Sequence, residues 1–524
     1  MKNFLKFLTF CVMILLVVLI IYAGKYAVKE KEEIPEEYKQ TDISILSNLR
    51  DSAGAGVVKE SDSQADKQAR EAMQTDHTAE LPVLSEQNMP DTIRVLLSDD
   101  GSYWQSEVRV SSDSDLRVIC GQTETSYKKG TEIDLAELTG DADPVSLTII
   151  PEQYGKLTIE SFHKSEGAPS YRGKLQIKKQ GNKYCIVNEL AFEEYLYAVV
   201  PSEMPSSFSP EALKTQAVCA RSYVYMQLMR ADLAAYGAHI NDSTSYQVYN
   251  KVEKTKESVA AVDATCGQVL TWNGKVVEAY YFSTSMGYTD TAEIWNVDDP
   301  SSYGYLKKAC LNQADADIDL SDETAFSKYI KSSADGYDSD IRYYRWFATA
   351  DLSDKTETVN EILAARHSIS PKNVLYYESD GTTEMDVAAA GEKMGAITGM
   401  SVEARSSSGS ILTLDLTYEC GIVKIKTEYN IRKILGCMVK KIVYADATES
   451  ENITMLPSAF STVEKQEDGT YLLSGGGYGH GLGMSQNGAN GMAKAGMGYQ
   501  DILNYFYQDI TVETIGEMEG KETL

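Results

Sequence analysis

Residues 199–223 read VVPSEMPSSFSPEALKTQAVCARSY, and the change of texture inside this stretch sets the architecture. Ser209 followed by Pro210 is a helix start: a hydroxyl residue at the cap, and a ring with its backbone angle preset at a position whose missing N–H costs nothing. Beyond it Leu213, Ala217, Ala220, Val224 and Leu228 recur at helical spacing, which predicts a long helix with one buried face. Upstream, Leu190 to Val199 is also helical in pattern, and Pro201 is expected to break it. Glu203 then lies between Pro201 and Pro205 on a short stiff segment. Rigid placement suits an acid/base carboxylate. The same position also suits a carboxylate drawn to the positive end of the following helix, and the motif alone does not separate the two readings.

Outward toward the N-terminus, TIRVLLSD, EVRVSS, DLRVIC, VSLTII and GKLQIKK alternate apolar and polar residues between Gly, Asp and Ser, the period-two signature of antiparallel strands. Outward toward the C-terminus, GQVLTWNGKVVEAYYFS contains Asn273-Gly274, a hairpin turn. An acidic stretch from about 314 to 340 reads as irregular, residues 361–365 as helical, and 411–426 as further strands. The chain closes with the glycine-rich SGGGYGHGLGMSQNGANGMAKAG and the amphipathic YQDILNYFYQ. Glycine at that density allows close backbone approach, either to a ligand or within tight packing. The expected class is mixed α+β, strand-rich with a few helices.

The chain has 524 residues, 43% of them hydrophobic, enough for a large core. With 49 Lys and Arg against 77 Asp and Glu and a net charge of -28, a nucleic-acid role is excluded for want of clustered cations. The 34 tyrosines outnumber 11 phenylalanines, a bias toward aromatics with a polar tip that suits surfaces stacking on sugar rings. The eight cysteines show no short repeated spacing, so mostly buried, reduced thiols are expected. Residues 7–24, FLTFCVMILLVVLIIYAG, form an apolar run just long enough to cross a bilayer, and no small-residue cleavage site follows before Lys25. The expectation is an uncleaved transmembrane anchor with residues 1–6 in the cytoplasm, a solvated acidic tether over 25–90, and an extracytoplasmic portion over 91–524. Within that portion the motifs concentrate at 185–300 and 470–524, around an irregular insertion at 310–395.

Two further segments carry chemistry. EAYYFSTSMGYTDTAEIW places Ser283, Thr284, Ser285, Gly287 and Glu293 after an aromatic strand, as a polar cleft lining or a plain strand exit. GYGHGLGMSQNGANGMA sets His480 between glycines, with Ser485 and Gln486 close behind. A phosphate-binding loop lacks its strand and helix context here, and a serine triad lacks a nucleophile elbow. His77, His163, His239, His367 and His480 have no partner at metal-ligand spacing, so neither a metal nor a cofactor is expected.

Taken together, EYLYAVVPSEMPSSFSPEALKTQAVCARSY (194–223), DSTSYQVY (242–249), EAYYFSTSMGYTDTAEIW (278–295), YNIRKILG (429–436) and GYGHGLGMSQNGANGMAKAG (477–496) resemble one family, stage II sporulation protein D (SpoIID) with its relative the amidase enhancer. The resemblance implies a lytic transglycosylase acting on peptidoglycan strands stripped of stem peptides, working with an amidase partner and other membrane proteins of engulfment. It implies Glu203 as the single catalytic carboxylate, with Gln216, Arg221, Gln247, Ser283, Ser285, Glu293, His480, Ser485 and Gln486 as cleft residues. Some members carry Cys and His in the DST-x-x-Q-V-Y segment and bind zinc, where this chain has Ser245 and Tyr246. A transglycosylase fits one carboxylate, since the substrate's own hydroxyl replaces the second carboxylate that hydrolases use. Desolvation by Val199, Val200 and Met204 is the expected means of keeping Glu203 protonated. A non-catalytic amidase enhancer and a purely structural scaffold are the competing readings.

Overall fold

The computed structural model describes residues 92–515 apart from 100, 165–166, 231–232, 244–245, 248, 250–253, 313–317, 333–334 and 387–392. The expected anchor and tether lie outside these residues. Among the described residues no helix is long and apolar enough to cross a membrane.

The alternating segments form the strands expected of them. A seven-stranded sheet runs in the order Ile240–Asn241, Thr92–Leu96, Lys183–Ala191, Lys174–Gln180, Val145–Pro151, Leu116–Cys120, Thr123–Tyr127. Every pairing is antiparallel except that of Thr92–Leu96 with Ile240–Asn241. Period two becomes register here: Ile177 lies opposite Ile186 on one side and Leu147 on the other, so one apolar row crosses three strands and is buried.

The last strand of that row leads without a loop into helix α1 (Phe192–Glu203), then α2 (Pro210–Arg230) and α3 (Lys256–Ala264). Two departures from the sequence pattern matter. First, α1 passes through Pro201 and ends on Glu203. Proline has no N–H to give to the carbonyl four residues back, that of Tyr197. The Ser258 hydroxyl of α3 donates to that carbonyl instead, at 3.2 Å, so the helix survives its proline. Second, α2 is buried nearly all round, at Thr215, Gln216, Arg221, Ser222 and Gln227 as well as at its apolar positions. It is the central helix, packed by α1, α3, the strand Gln268–Trp272 and the two C-terminal helices α4 (Gln486–Lys494) and α5 (Tyr499–Phe506).

Helix α4 is invisible to propensity, since QNGANGMAK carries two glycines. Both are forced by packing: a Cβ on Gly488 would lie 2.5 Å from Leu311 and one on Gly491 1.8 Å from the Tyr337 carbonyl. The Asn273-Gly274 hairpin turn is present, both residues having positive φ. The 310–395 stretch is not irregular throughout. It contains the helices Glu323–Ile330 and Thr356–Ile369 and the strands Trp346–Ala350 and Val374–Tyr377, which join a five-stranded and a four-stranded sheet completed by 397–475. The seven described cysteines form no disulfide; only Cys185 and Cys219 are buried, while Cys266 and Cys420 are exposed, so burial is less general than expected.

Candidate active site

Glu203 ends α1 instead of standing free on a loop before α2. Its backbone is held by capping of the last turn: the Met204 N–H donates to Val200 O at 2.9 Å and the Ser202 hydroxyl to Ala198 O at 2.7 Å. Val199, Val200 and Met204, its neighbours in the chain, are buried, and Glu203 itself is half-buried. It stands at the negative end of the α1 macrodipole, opposite to the helix-start position that the sequence pattern offered, so the helix gives no support to its charge.

Three segments converge on this carboxylate. From α2, Gln216 is fully buried. From the start of α4, the Gln486 amide reaches both groups, donating to Gln216 Oε1 at 3.3 Å and lying 3.4 Å from Glu203 Oε2. Gln216 Nε2 is buried without a hydrogen-bond partner, a donor left to spare on the amide that Gln486 meets. The phenols of Tyr195, Tyr223 and Tyr281 complete the surroundings. Burial raises the pKa of all three and the charge of Glu203 adds to the effect. Gln247 links the helices under the site, accepting from Tyr195 Oη at 3.2 Å and donating to Ala220 O at 3.1 Å.

The approach of α4 is fixed by polar ties. The Asn490 side chain accepts from the backbone N–H of Ser209 at 2.9 Å, joining α4 to the start of α2. Asn487 donates through its backbone and its side chain to Ser283 O, each at 3.0 Å. Short parallel pairing of Tyr281 with Met484 and Phe282 with Ser485 lays the glycine-rich segment along the aromatic strand. Gly483 permits it: φ is +70° and a Cβ would sit 2.1 Å from the Tyr280 carbonyl oxygen.

Ser285 and Ser485 meet on a residue that sequence reasoning missed. Asp338, fully buried, accepts from the Ser285 hydroxyl at 3.0 Å, the Ser285 N–H at 2.8 Å and the Ser485 hydroxyl at 2.8 Å. Burial raises its pKa to about 6, against the lowering by these donors. It comes from the acidic stretch at 314–340, where nothing local distinguishes it from neighbouring aspartates. Asn487 and Asn490 were within reach, since they belong to the same motif as Gln486.

Three expected cleft residues are engaged elsewhere. Arg221, fully buried, makes a bidentate pair with Glu193 at 2.9 and 2.8 Å and donates to Gln268 O at 3.1 Å. Glu293 is exposed, on the short turn Ala292–Trp295. His480 accepts from the Leu482 N–H at Nδ1, 3.0 Å, which puts its proton on Nε2 facing Tyr281 O at 3.0 Å. Packed among Tyr280, Phe282 and Trp295, it is a neutral ring whose pKa burial lowers to about 4. Among the described residues no group of three His, Cys, Asp or Glu is arranged to hold a metal ion. His239 is turned to Arg94, whose backbone N–H donates to Nδ1 at 3.2 Å.

A half-buried carboxylate braced by side-chain amides, carried on a helix pair under a mixed sheet, is an arrangement able to give and take one proton. Residues 180–272, which contain it, match the family described as "Stage II sporulation protein", SpoIID, and residues 382–483 match a domain of unknown function, DUF8618. The chain is 29% identical over 319 residues to the "Amidase enhancer" of Bacillus subtilis (strain 168), covering 60% of this chain and 40% of that protein. It is 28% identical over 389 residues to "Stage II sporulation protein D" of the same organism, covering 69% and 89%, and 27% identical over 342 residues to that of Bacillus amyloliquefaciens, covering 62% and 75%. The chain therefore carries a SpoIID-family domain, with Glu203 inside it. It spans less than half the length of the amidase enhancer and most of that of the two sporulation proteins.

Proposed function

We propose that this chain is a membrane-anchored lytic transglycosylase of peptidoglycan, acting in sporulation outside the cytoplasm on glycan strands stripped of their peptides, alongside an amidase. The observation that carries this reading is the position of Glu203, half-buried at the end of α1 with the Gln486 amide 3.4 Å away. As a carboxylic acid Glu203 protonates the oxygen bridging N-acetylmuramic acid to N-acetylglucosamine, and that glycosidic bond breaks. As carboxylate it then takes the proton from the C6 hydroxyl of the muramic residue while that oxygen bonds to C1, leaving a 1,6-anhydro end. One carboxylate serves both steps because the attacking hydroxyl belongs to the substrate. The apolar run at 7–24 supports the anchor.

The purified chain, given peptide-stripped strands, is expected to release anhydro-ended saccharides visible by mass spectrometry, and Glu203→Gln to abolish release. Reducing-end products would replace this reaction by hydrolysis. Similarity to the amidase enhancer supports a second reading, in which the chain stimulates an amidase without cutting glycan. That reading takes over if the wild type releases nothing while Glu203→Gln stimulates an amidase as well as the wild type does.

A further inference from the structure

We infer that Asp338 is a positioning residue for the Glu203 carboxylate, acting through the start of α4 and the amide of Gln486; this rests on the acid/base reading of Glu203.

The path consists of adjacent polar contacts. The Ser485 hydroxyl donates to Asp338 Oδ2 at 2.8 Å and accepts from the Gly488 N–H at 3.1 Å, which makes Ser485 the cap of α4. Capped in this way, its hydroxyl proton points to the carboxylate, while its oxygen accepts from the helix at Gly488 and from the Ser285 N–H, 3.2 Å away. Ser285 holds Asp338 from the opposite side with both its hydroxyl and its N–H, so the carboxylate bridges the aromatic strand exit and α4. The residue after the cap is Gln486, whose amide meets Glu203 and Gln216. Asp338, Ser485 and Gln486 are buried, so the cap has little room to shift without moving the amide. The three hydrogen bonds that hold the Asp338 side chain come from Ser285 and Ser485. The effect of Asp338 on the chemistry is the direction in which Gln486 points.

The test is a double-mutant cycle on the full chain with Asp338→Asn, Gln486→Ala and both together. Two readouts are taken: kcat and KM on peptide-stripped strands, and the pH midpoint for carbodiimide labelling of Glu203, followed by peptide mass spectrometry. Each single variant is expected to lower kcat by roughly tenfold with KM within about twofold, the scale of one hydrogen bond to a charged group. Each is also expected to move the labelling midpoint upward, because a carboxylate that loses a donor holds its proton more tightly. The double variant is expected to match Gln486→Ala alone in both. Losses that add in the double variant overturn the inference, since a merely structural Asp338 would weaken the fold independently of Gln486. Should Asp338→Asn not fold, Ser485→Ala is expected to reproduce the Gln486→Ala midpoint and Ser485→Thr to restore the wild-type one; failure of either overturns it. If the wild type cuts no glycan, the cleavage reading falls, while the labelling cycle still decides whether Asp338 positions Glu203.

Discussion

The side-chain amide of Gln486 lies 3.4 Å from a carboxylate oxygen of Glu203, although 283 positions of chain separate them. It is a long contact for a charge-assisted hydrogen bond, and a ligand oxygen or a small rotation of the amide would change it. The pair is therefore the point at which charge introduced on one side is felt most on the other. Gln486→Glu puts a second carboxyl against the first, and like charges at this distance drive one of them to stay protonated. Glycan release by this variant is expected to fall by more than about tenfold at neutral pH and to have an altered acid limb. A pH profile identical in shape to the wild type's would show that residue 486 does not face the reacting carboxyl.

The buried Arg221 is paired with Glu193, whose side chain is 22% exposed. Removing the carboxylate leaves a guanidinium uncompensated in the core of α2, at a cost of about 3–5 kcal/mol. Glu193→Ala is expected to lower the urea midpoint by that equivalent, with KM of the folded fraction unchanged. An increase in KM with normal stability would return Arg221 to the glycan cleft.

Acid and base titrations inside the fold oppose each other between about pH 4 and 6.5. Asp338 and Asp290 are raised by burial from 3.8 to about 6, so the folded chain takes up protons there that the unfolded chain does not, and stability rises as pH falls. His480 and His239 are lowered by burial from 6.5 to about 4, so the unfolded chain takes up the protons and stability falls as pH falls. The wild type is expected to show a shallow dependence of Tm on pH across this window. The deficit of Asp338→Asn relative to the wild type should grow by a few degrees on acidification, and that of His480→Gln should shrink. Parallel curves for all three proteins would mean that these groups titrate alike in the folded and unfolded chains.

Much of the scaffold was legible from local pattern. Alternation located four strands of the seven-stranded sheet, Thr92–Leu96, Leu116–Cys120, Val145–Pro151 and Lys174–Gln180, Ser209-Pro210 marked the start of α2, and Asn273-Gly274 marked the hairpin of Gln268–Trp272 with Lys275–Val276. These features follow from interactions between residues a few positions apart, which a one-dimensional reading contains. The run of α1 through Pro201 was not legible, because the donor that replaces the missing N–H comes from Ser258 on another helix. Nor was α4, whose glycines disfavour a helix until Leu311 and Tyr337 are packed against them.

The candidate site divides in the same way. The sequence by itself offered Glu203 as a rigidly placed carboxylate with two readings, and its resemblance to one family named Gln216, Ser285, Ser485 and Gln486 among its company. Only the tertiary structure decided that Gln486 and Gln216 share the neighbourhood of Glu203, that His480 is neutral and satisfied by backbone groups, that Arg221 is held by Glu193, and that Asp338 joins the two serines. The physical reason is range. A helix cap or a strand pleat is set by nearest neighbours, whereas the hydrogen-bond partner of a buried side chain is set by which surfaces pack together, and here the side-chain partners lie from 28 residues apart, for Arg221 and Glu193, to 283, for Gln486 and Glu203.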